Sequence, residues 1–396
     1  MMRKYRCLFY SFFLLTSFSF GQSFKTVGYL PYYRFALVDQ IDFSKLTHLN
    51  IAFANPDSSG RLSTGGSDIE PVLLKAQQQG VNVYISLAGA ALTEDQESAW
   101  LKLLLPENRG NFIAQILDYV KAHQLDGIDI DLEWGHVNED YSGFILALRD
   151  SIDRYGLGLT AALPGQYRYP EITDEALKAF DWINMMVYDL TGPWSPQNPG
   201  PHSTFAHALE AIDNWTNQGV EKSRLTLGVP FYGYDFSDLN NIVARSYGEM
   251  VAINSDYANL DRVGEMYYNG LITIEQKTQL ALQQLAGVMI WEIGQDDFGA
   301  YSLLDRIWQT IHQTVATQST EITKIGVFPN PFGDYLEVDL GSEVRKTLSI
   351  YNLQGEPVFQ DVDYSRINTE ELSPGFYYLV ISVPGFRQVE KLLKIR

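Results

Sequence analysis

The stretch Asp126-Gly127-Ile128-Asp129-Ile130-Asp131-Leu132-Glu133-Trp134 constrains this chain more than any other. A strand alternates its side chains between two faces, so Asp129, Asp131 and Glu133 share one face and Ile128, Ile130 and Leu132 the other. The aliphatic face suits a core. Three carboxylates in a row repel one another and are costly to take out of water, which marks the row for chemistry rather than packing. A half-exposed strand with a solvated acidic face is the plainer reading. Trp134 directly after the row, and strongly apolar strands on both sides in sequence, argue against it.

Around this strand, short apolar runs alternate with amphipathic helical stretches. Strands are predicted at Thr26–Tyr33, Thr47–Asn55, Val81–Gly89, the acidic row, Gly158–Leu163, Trp182–Asp189, Leu225–Tyr232 and Gly287–Gly294. Helices are predicted at Asp68–Gln79, Glu94–Leu105, Arg109–His123 with a break at Pro106, Ser142–Arg154 and Ala300–Thr314. Eight strands with intervening helices fit an α/β fold, a (β/α)8 TIM barrel over residues 22–316. A doubly wound sheet would want a Gly-rich phosphate turn after an early strand, and strand one leads instead into Tyr-Arg-Phe. In a barrel the active site lies at the C-terminal strand ends, where Glu133, Tyr188, Asp189, Tyr232, Trp291 and Glu292 fall.

Residues 1–21 read as a signal peptide: Arg3, Lys4 and Arg6, then an apolar run from Cys7 to Phe20, then Gly21. That run is shorter than a membrane span and no later stretch reaches one, so no integral membrane segment is expected in the mature chain. Cys7 is the single cysteine, which leaves the mature protein without disulfides or thiolate chemistry. A linker is expected at 317–325, and residues 326–396 carry only short β runs, read as a small all-β sandwich with strands at Tyr335–Leu340, Thr347–Asn352, Phe376–Val383 and Gln388–Ile395. With 48 acidic against 29 basic residues, the formal charge of −19 disfavours nucleic acid as a partner. No metal or cofactor is expected: the histidines are scattered, His202 and His207 are too loosely spaced to read as ligands, and a strand-borne carboxylate row offers little loop oxygen to a hard cation.

Asp126-x-x-Asp129-x-Asp131-x-Glu133 resembles the DxxDxDxE signature of family 18 glycoside hydrolases, the chitinase and endo-β-N-acetylglucosaminidase family. Leu46–Ala54, Met186-Val187-Tyr188-Asp189, Leu227–Gly233 and Gly287–Glu292 are similar to further blocks of that family in the same order. The family often has S-x-G-G in its third strand, where this chain has Ser86-Leu87-Ala88-Gly89, and the extra methyl is expected to crowd that strand end. The resemblance implies retaining hydrolysis in which the substrate's own N-acetyl oxygen attacks, an exception to the two-carboxylate scheme. It implies Glu133 as general acid and then base, its pKa raised by Asp131 and Asp129. Asp131 would hold the acetamido N–H, Asp129 would share its proton, and Tyr188 would hold the acetamido oxygen. Trp291 would floor the cleft. Asp189, Met186, Tyr29, Phe53, Trp134 and Tyr232 are further candidates for lining it, with packing in the barrel core as the alternative for each, and Asp126 is expected to be structural. The partner would be an N-acetylglucosamine-containing polysaccharide or glycan, with the diacetylchitobiose core of N-glycans as the alternative substrate and a silent lectin as the alternative class. The segment Tyr234–Ala286 looks too short for a large insertion domain, so an open cleft is expected.

The tail, through Val327–Phe332, Ile350-Tyr351-Asn352, Gly355, Pro374–Tyr377 and Lys391–Arg396, resembles the C-terminal sorting domain of type IX secretion substrates. That implies a secretion machinery as partner and a secreted or cell-surface location.

Overall fold

The computed structural model describes residues 24–317, 326–339, 347–353, 355–362, 366–383 and 386–395; the expected signal peptide and most of the linker lie outside them. Eight parallel strands close a barrel: strand one (Lys25–Pro31), two (His48–Pro56), three (Asn82–Ala88), four (Gly127–Asp131), five (Gly158–Pro164), six (Trp182–Met186), seven (Leu225–Pro230) and eight (Gly287–Trp291). Strand one pairs with both strand two and strand eight, which closes the sheet and leaves no edge. The helices are α1 (Glu70–Gln78), α2 (Glu94–Leu103), α3 (Pro106–Ala122), α4 (Tyr141–Ile152), α5 (Asp174–Ala179), α6 (Phe205–Asn217), α7 (Tyr247–Ile253), α8 (Leu271–Gln284) and α9 (Leu303–Thr317).

The alternation of strand four sorts its residues as its pattern demands. Ile128 and Ile130 are fully buried in the layer between sheet and helices, beside Phe112, Phe144 and Trp100. Each such side chain contributes roughly 1.5–3 kcal/mol on burial. Phe112 stacks on Phe144 at 5.7 Å and meets Trp100 edge-on at 5.3 Å, fastening α2, α3 and α4 together. Asp126, at the strand's start, accepts the Val83 N–H at 2.7 Å, a structural role at the far end from the cleft. Below the barrel's polar layer, Tyr84 lies under two glycines. A Cβ at Gly158 would stand 1.9 Å from its hydroxyl and one at Gly127 would stand 2.5 Å from its ring.

Several boundaries differ from the sequence-based expectation. The break expected at Pro106 is there, with α2 ending at Leu103, but α3 begins at Pro106 itself and not at Arg109. The fixed φ of proline is helical already and its missing N–H costs nothing at a helix start. The chain leaves strand six after Met186, so that Val187–Asp189 bend over the barrel mouth with Asp189 at φ +62°. Beyond strand seven, Tyr232–Asp235, Val243–Ser246, Arg262–Val263 and Met266–Tyr267 form a small antiparallel sheet, a wall whose Tyr232, Tyr234, Phe236 and Tyr267 cluster with Tyr188 and Trp291. The tail holds two antiparallel sheets around Phe332, Leu336, Ile350, Leu379, Ile381 and Leu392, with additional strands at Gly326–Phe328, Pro357–Val362 and Arg366–Asn368. Tyr351 of the tail hydrogen-bonds Gln276 of α8.

The Ala88 methyl matters through backbone rather than crowding. Ala88 sits at φ +82° and Gly89 at +84°, and a Cβ at Gly89 would stand 2.5 Å from the Phe53 ring. A non-glycine residue in that region is disfavoured by about 1–2 kcal/mol. We therefore expect Ala88→Gly to stabilise the protein by up to about 1 kcal/mol, after the unfolded-state entropy that glycine adds is set against the relieved strain. Chemical denaturation would read this as a rise in midpoint at unchanged slope; a fall would place the local strain elsewhere.

Candidate active site

The register across strands three to five lines up Ser86, Asp129 and Thr160 side by side in the barrel lumen. Asp129 is fully buried and accepts four hydrogen bonds: Tyr29 Oη and Ser86 Oγ, each at 2.7 Å on Oδ2, and Thr160 Oγ1 at 2.6 Å and Asn184 Nδ2 at 3.2 Å on Oδ1. Asn184 is itself held through its Oδ1 by Trp182 Nε1 at 3.0 Å and Thr226 Oγ1 at 2.7 Å. Burial pushes the Asp129 carboxyl up and these donors push back.

Asp131 stands one layer higher and is in the opposite situation. It is buried and its Oδ1 has no hydrogen-bond partner. Burial, then the charges of Glu133 and Asp129, push its pKa well above the carboxylate range. An orphaned buried oxygen of this kind is far cheaper protonated than ionised.

Glu133 follows the end of strand four, half-buried at the barrel mouth, and its carboxyl makes no hydrogen bond to another side chain among the described residues. Burial and then the charge of Asp189 raise its pKa to about 7. Asp189 adds a charge that the sequence did not suggest, and the repulsion expected between Asp131 and Glu133 is present as well, raising the Asp131 pKa.

The rest of the site closes around this column. The Tyr188 phenol feels Asp131, Asp189, Glu133 and Asp129 together, and with burial they push its pKa well up, so it remains a hydrogen-bond donor. Trp291 stacks on Phe53 at 5.5 Å and meets Tyr29 edge-on at 5.7 Å. Trp291 and Tyr188 are half-buried and bridge the barrel's inner apolar cluster and that of the wall sheet. Asp131, Glu133, Tyr188 and Trp291 thus gather at one mouth, with Met186 beside them.

Of the remaining candidates, Tyr29 and Tyr232 pack in the interior and Trp134 stands at the rim. Tyr29 is 1% exposed, beneath the floor, where it holds Asp129 instead of facing a ligand. Tyr232 is buried behind Asp189, to which its hydroxyl donates at 2.5 Å. Trp134 is no core residue: it is 59% exposed at φ +57°, its ring free at the rim beside Glu133. Asp189 Oδ1 also accepts Tyr234 Oη at 3.1 Å, and the His202 ring lies 3.3 Å away. Sequence reasoning missed Ser86, Thr160, Asn184, Tyr234 and His202. For Tyr234 a signal existed, since Tyr232 and Tyr234 alternate at strand spacing. Among the described residues no group of His, Asp and Glu stands in an arrangement fit to hold a metal ion.

Chemically, the mouth offers a carboxyl with its pKa raised to about 7, an apolar aromatic surface, a second buried carboxyl held well above its usual range, and a phenol whose hydroxyl, among the described residues, meets only the Met289 sulfur at 3.8 Å. That set protonates a leaving group and steadies a positive centre forming beside it.

Residues 25–296 match the profile described as Glycosyl hydrolases family 18, and residues 326–395 that of the Secretion system C-terminal sorting domain. The GH18 chitinase from the chitin utilization locus of Flavobacterium johnsoniae is 44% identical, with a TM-score of 0.72 over 73% of this chain and 94% of that one. A chitinase from Bacteroides thetaiotaomicron is 26% identical, with a TM-score of 0.65 over 76% of this chain and 100% of its own. A chitinase-like effector of Moniliophthora roreri is 28% identical over 50% of this chain, which spans 55% of that protein's length. Endochitinase 1 of Metarhizium robertsii is 26% identical, over 66% of this chain and 78% of that one.

Proposed function

The chain belongs to family 18 of the glycosyl hydrolases and is a glycoside hydrolase of the chitinase type with a type IX sorting domain, and from that premise we propose how and on what it acts. The reaction is retaining hydrolysis of a β-1,4 bond next to N-acetylglucosamine, in chitin or chito-oligosaccharides, with the substrate's acetamide as nucleophile. The observation that carries this reading is the contrast within the acidic row: Asp129 saturated with donors, Asp131 without a partner and Glu133 poised near neutrality.

In the first step Glu133 gives its proton to the glycosidic oxygen. The C1–O bond to the leaving sugar breaks as the acetamido oxygen bonds to C1, leaving a cyclic cation on the substrate. Tyr188 donates to that oxygen and fixes its line of attack. Asp131 accepts the acetamido N–H and faces the cation as a carboxylate. Three of the four donors on Asp129 are hydroxyls, which can turn and free one oxygen, so the proton of Asp131 passes to Asp129 as the substrate's N–H replaces it. In the second step Glu133, now a carboxylate, takes a proton from water. The water oxygen bonds to C1 and the acetamide leaves, so configuration is retained. Trp291 supplies the apolar floor under the cleaved sugar, and the exposed rings of Trp134 and Tyr33 offer stacking faces along the rim. Export through the sorting domain would place the enzyme outside the cell, free or on its surface.

The acid must be protonated, so kcat/KM should be full below the Glu133 pKa of about 7 and fall tenfold per pH unit above it. Replacing Asp189 by asparagine removes the charge that holds this value up and should move the alkaline limb to lower pH. An unmoved limb would detach Asp189 from the acid.

Mass spectrometry of the products from chito-oligosaccharides and from an N-glycosylated protein tests the substrate. Shortened oligosaccharides support the proposal. Protein left with one N-acetylglucosamine per site would move the function to N-glycans, and sugar binding without any cleavage would make the chain a lectin.

A further inference from the structure

Helix α8 carries a lysine in a place that costs stability. Lys277 is fully buried, and among the described residues it forms no ion pair. Its ammonium donates only to neutral acceptors: Ser203 Oγ at 2.7 Å, Asn269 Oδ1 at 2.8 Å and the Ser203 carbonyl at 2.9 Å. Burial lowers its pKa to about 7, against the pull of the Asp261 charge. A methionine of similar shape would fill the same space without desolvating a charge.

What the ammonium holds lies next to the active site. Ser203 Oγ donates its own proton to the Val187 carbonyl at 2.6 Å, directly before Tyr188. The Leu190 N–H donates to the His202 carbonyl at 3.0 Å. The His202 ring touches Asp189 Oδ1 at 3.3 Å and, through Nε2, the Tyr232 carbonyl at 3.2 Å. Asn269 Nδ2 holds the Ser203 carbonyl at 2.9 Å. The dipeptide His202-Ser203 therefore grips the segment Val187–Leu190 on both sides of Tyr188 and Asp189, and Lys277 holds the grip from behind. That segment has left its strand, so no ladder bonds fix it.

We propose that Lys277 is a positioning residue for the reaction, acting through Ser203 and His202 to fix Tyr188 and Asp189 over the acidic row. The inference rests on the catalytic reading above, since it gives those two residues their tasks. Removing the grip lets the phenol drift from the acetamide without emptying the sugar-binding floor, so turnover suffers and binding does not.

The test compares the full chain with Lys277→Met and with Ser203→Ala. Misplacement of a reacting group by an ångström costs on the order of 10²-fold, so a loosened grip should lower kcat on chito-oligosaccharides by about tenfold or more, with KM within twofold. Hydrogen exchange at the Leu190 amide should rise in both variants while α8 stays protected. Ser203→Ala leaves the lysine in place and decides the matter if Lys277→Met does not fold. A wild-type kcat with unchanged Leu190 exchange overturns the proposal, and so does a loss of melting temperature with kcat intact. A wild-type enzyme inactive on every chito-oligosaccharide would instead overturn the catalytic reading, and Leu190 exchange would still decide whether Lys277 holds the segment.

Discussion

Glu133→Gln should lower kcat on chito-oligosaccharides by about 10³-fold or more, within or above the 10²–10⁴ range for a positioned acid–base group, while leaving KM nearly unchanged. The side chain is isosteric, and the carboxyl it replaces makes no side-chain hydrogen bond, so nothing structural is lost with it. What is lost is the proton near pH 7 and, in the second step, the base that takes water's proton. The variant should also lose the alkaline limb of the pH profile, because the group that titrates there is gone. Steady-state kinetics with a product assay would show this; a fall of less than tenfold would mean that another group delivers the proton.

Asp131→Asn should reduce kcat by about 10²-fold, comparable to removing one preorganised group aimed at developing charge. The amide keeps the volume and can still meet the acetamido group, but it cannot face the cyclic cation as an anion. Its effect on stability should have the opposite sign. Asp131 is buried with an unpartnered oxygen between Asp129 and Glu133, so a neutral amide relieves part of what the folded state bears. Lower turnover with an equal or higher melting temperature is the expected pair of results, measured on one preparation. Lower turnover with a large loss of stability would make Asp131 a structural residue.

The residues legible in the sequence were those whose types are expensive to place. Alternating Asp129, Asp131 and Glu133 between isoleucines has few explanations, and Trp291 and Tyr188 stood at strand ends of a barrel already inferred. Ser86, Thr160, Asn184 and Thr226 were not legible, because a neutral polar residue costs little wherever it falls. They acquire meaning only when the barrel's register sets Ser86 and Thr160 on either side of Asp129, and Asn184 beside Thr226. His202 was set aside for its spacing to His207. Its contact with Asp189 depends on a loop returning across the mouth, which no local pattern encodes. The wall sheet was missed for a related reason: its strands are two to four residues long, too short for a periodicity to register. Whether Tyr29 lines the cleft or packs beneath it was not legible, because a strand-end aromatic reads alike whether its hydroxyl meets a ligand or a buried carboxylate.

The central claim is that the substrate's own acetamide attacks C1 and that configuration survives. Proton NMR of the first product formed from chito-oligosaccharides, recorded before the anomers equilibrate, tests it most directly. The new reducing end should appear as the β-anomer. An α-anomer formed first would mean that water attacks C1 directly from the opposite face, and the roles of Asp131 and Tyr188 in holding the acetamide would fall with it.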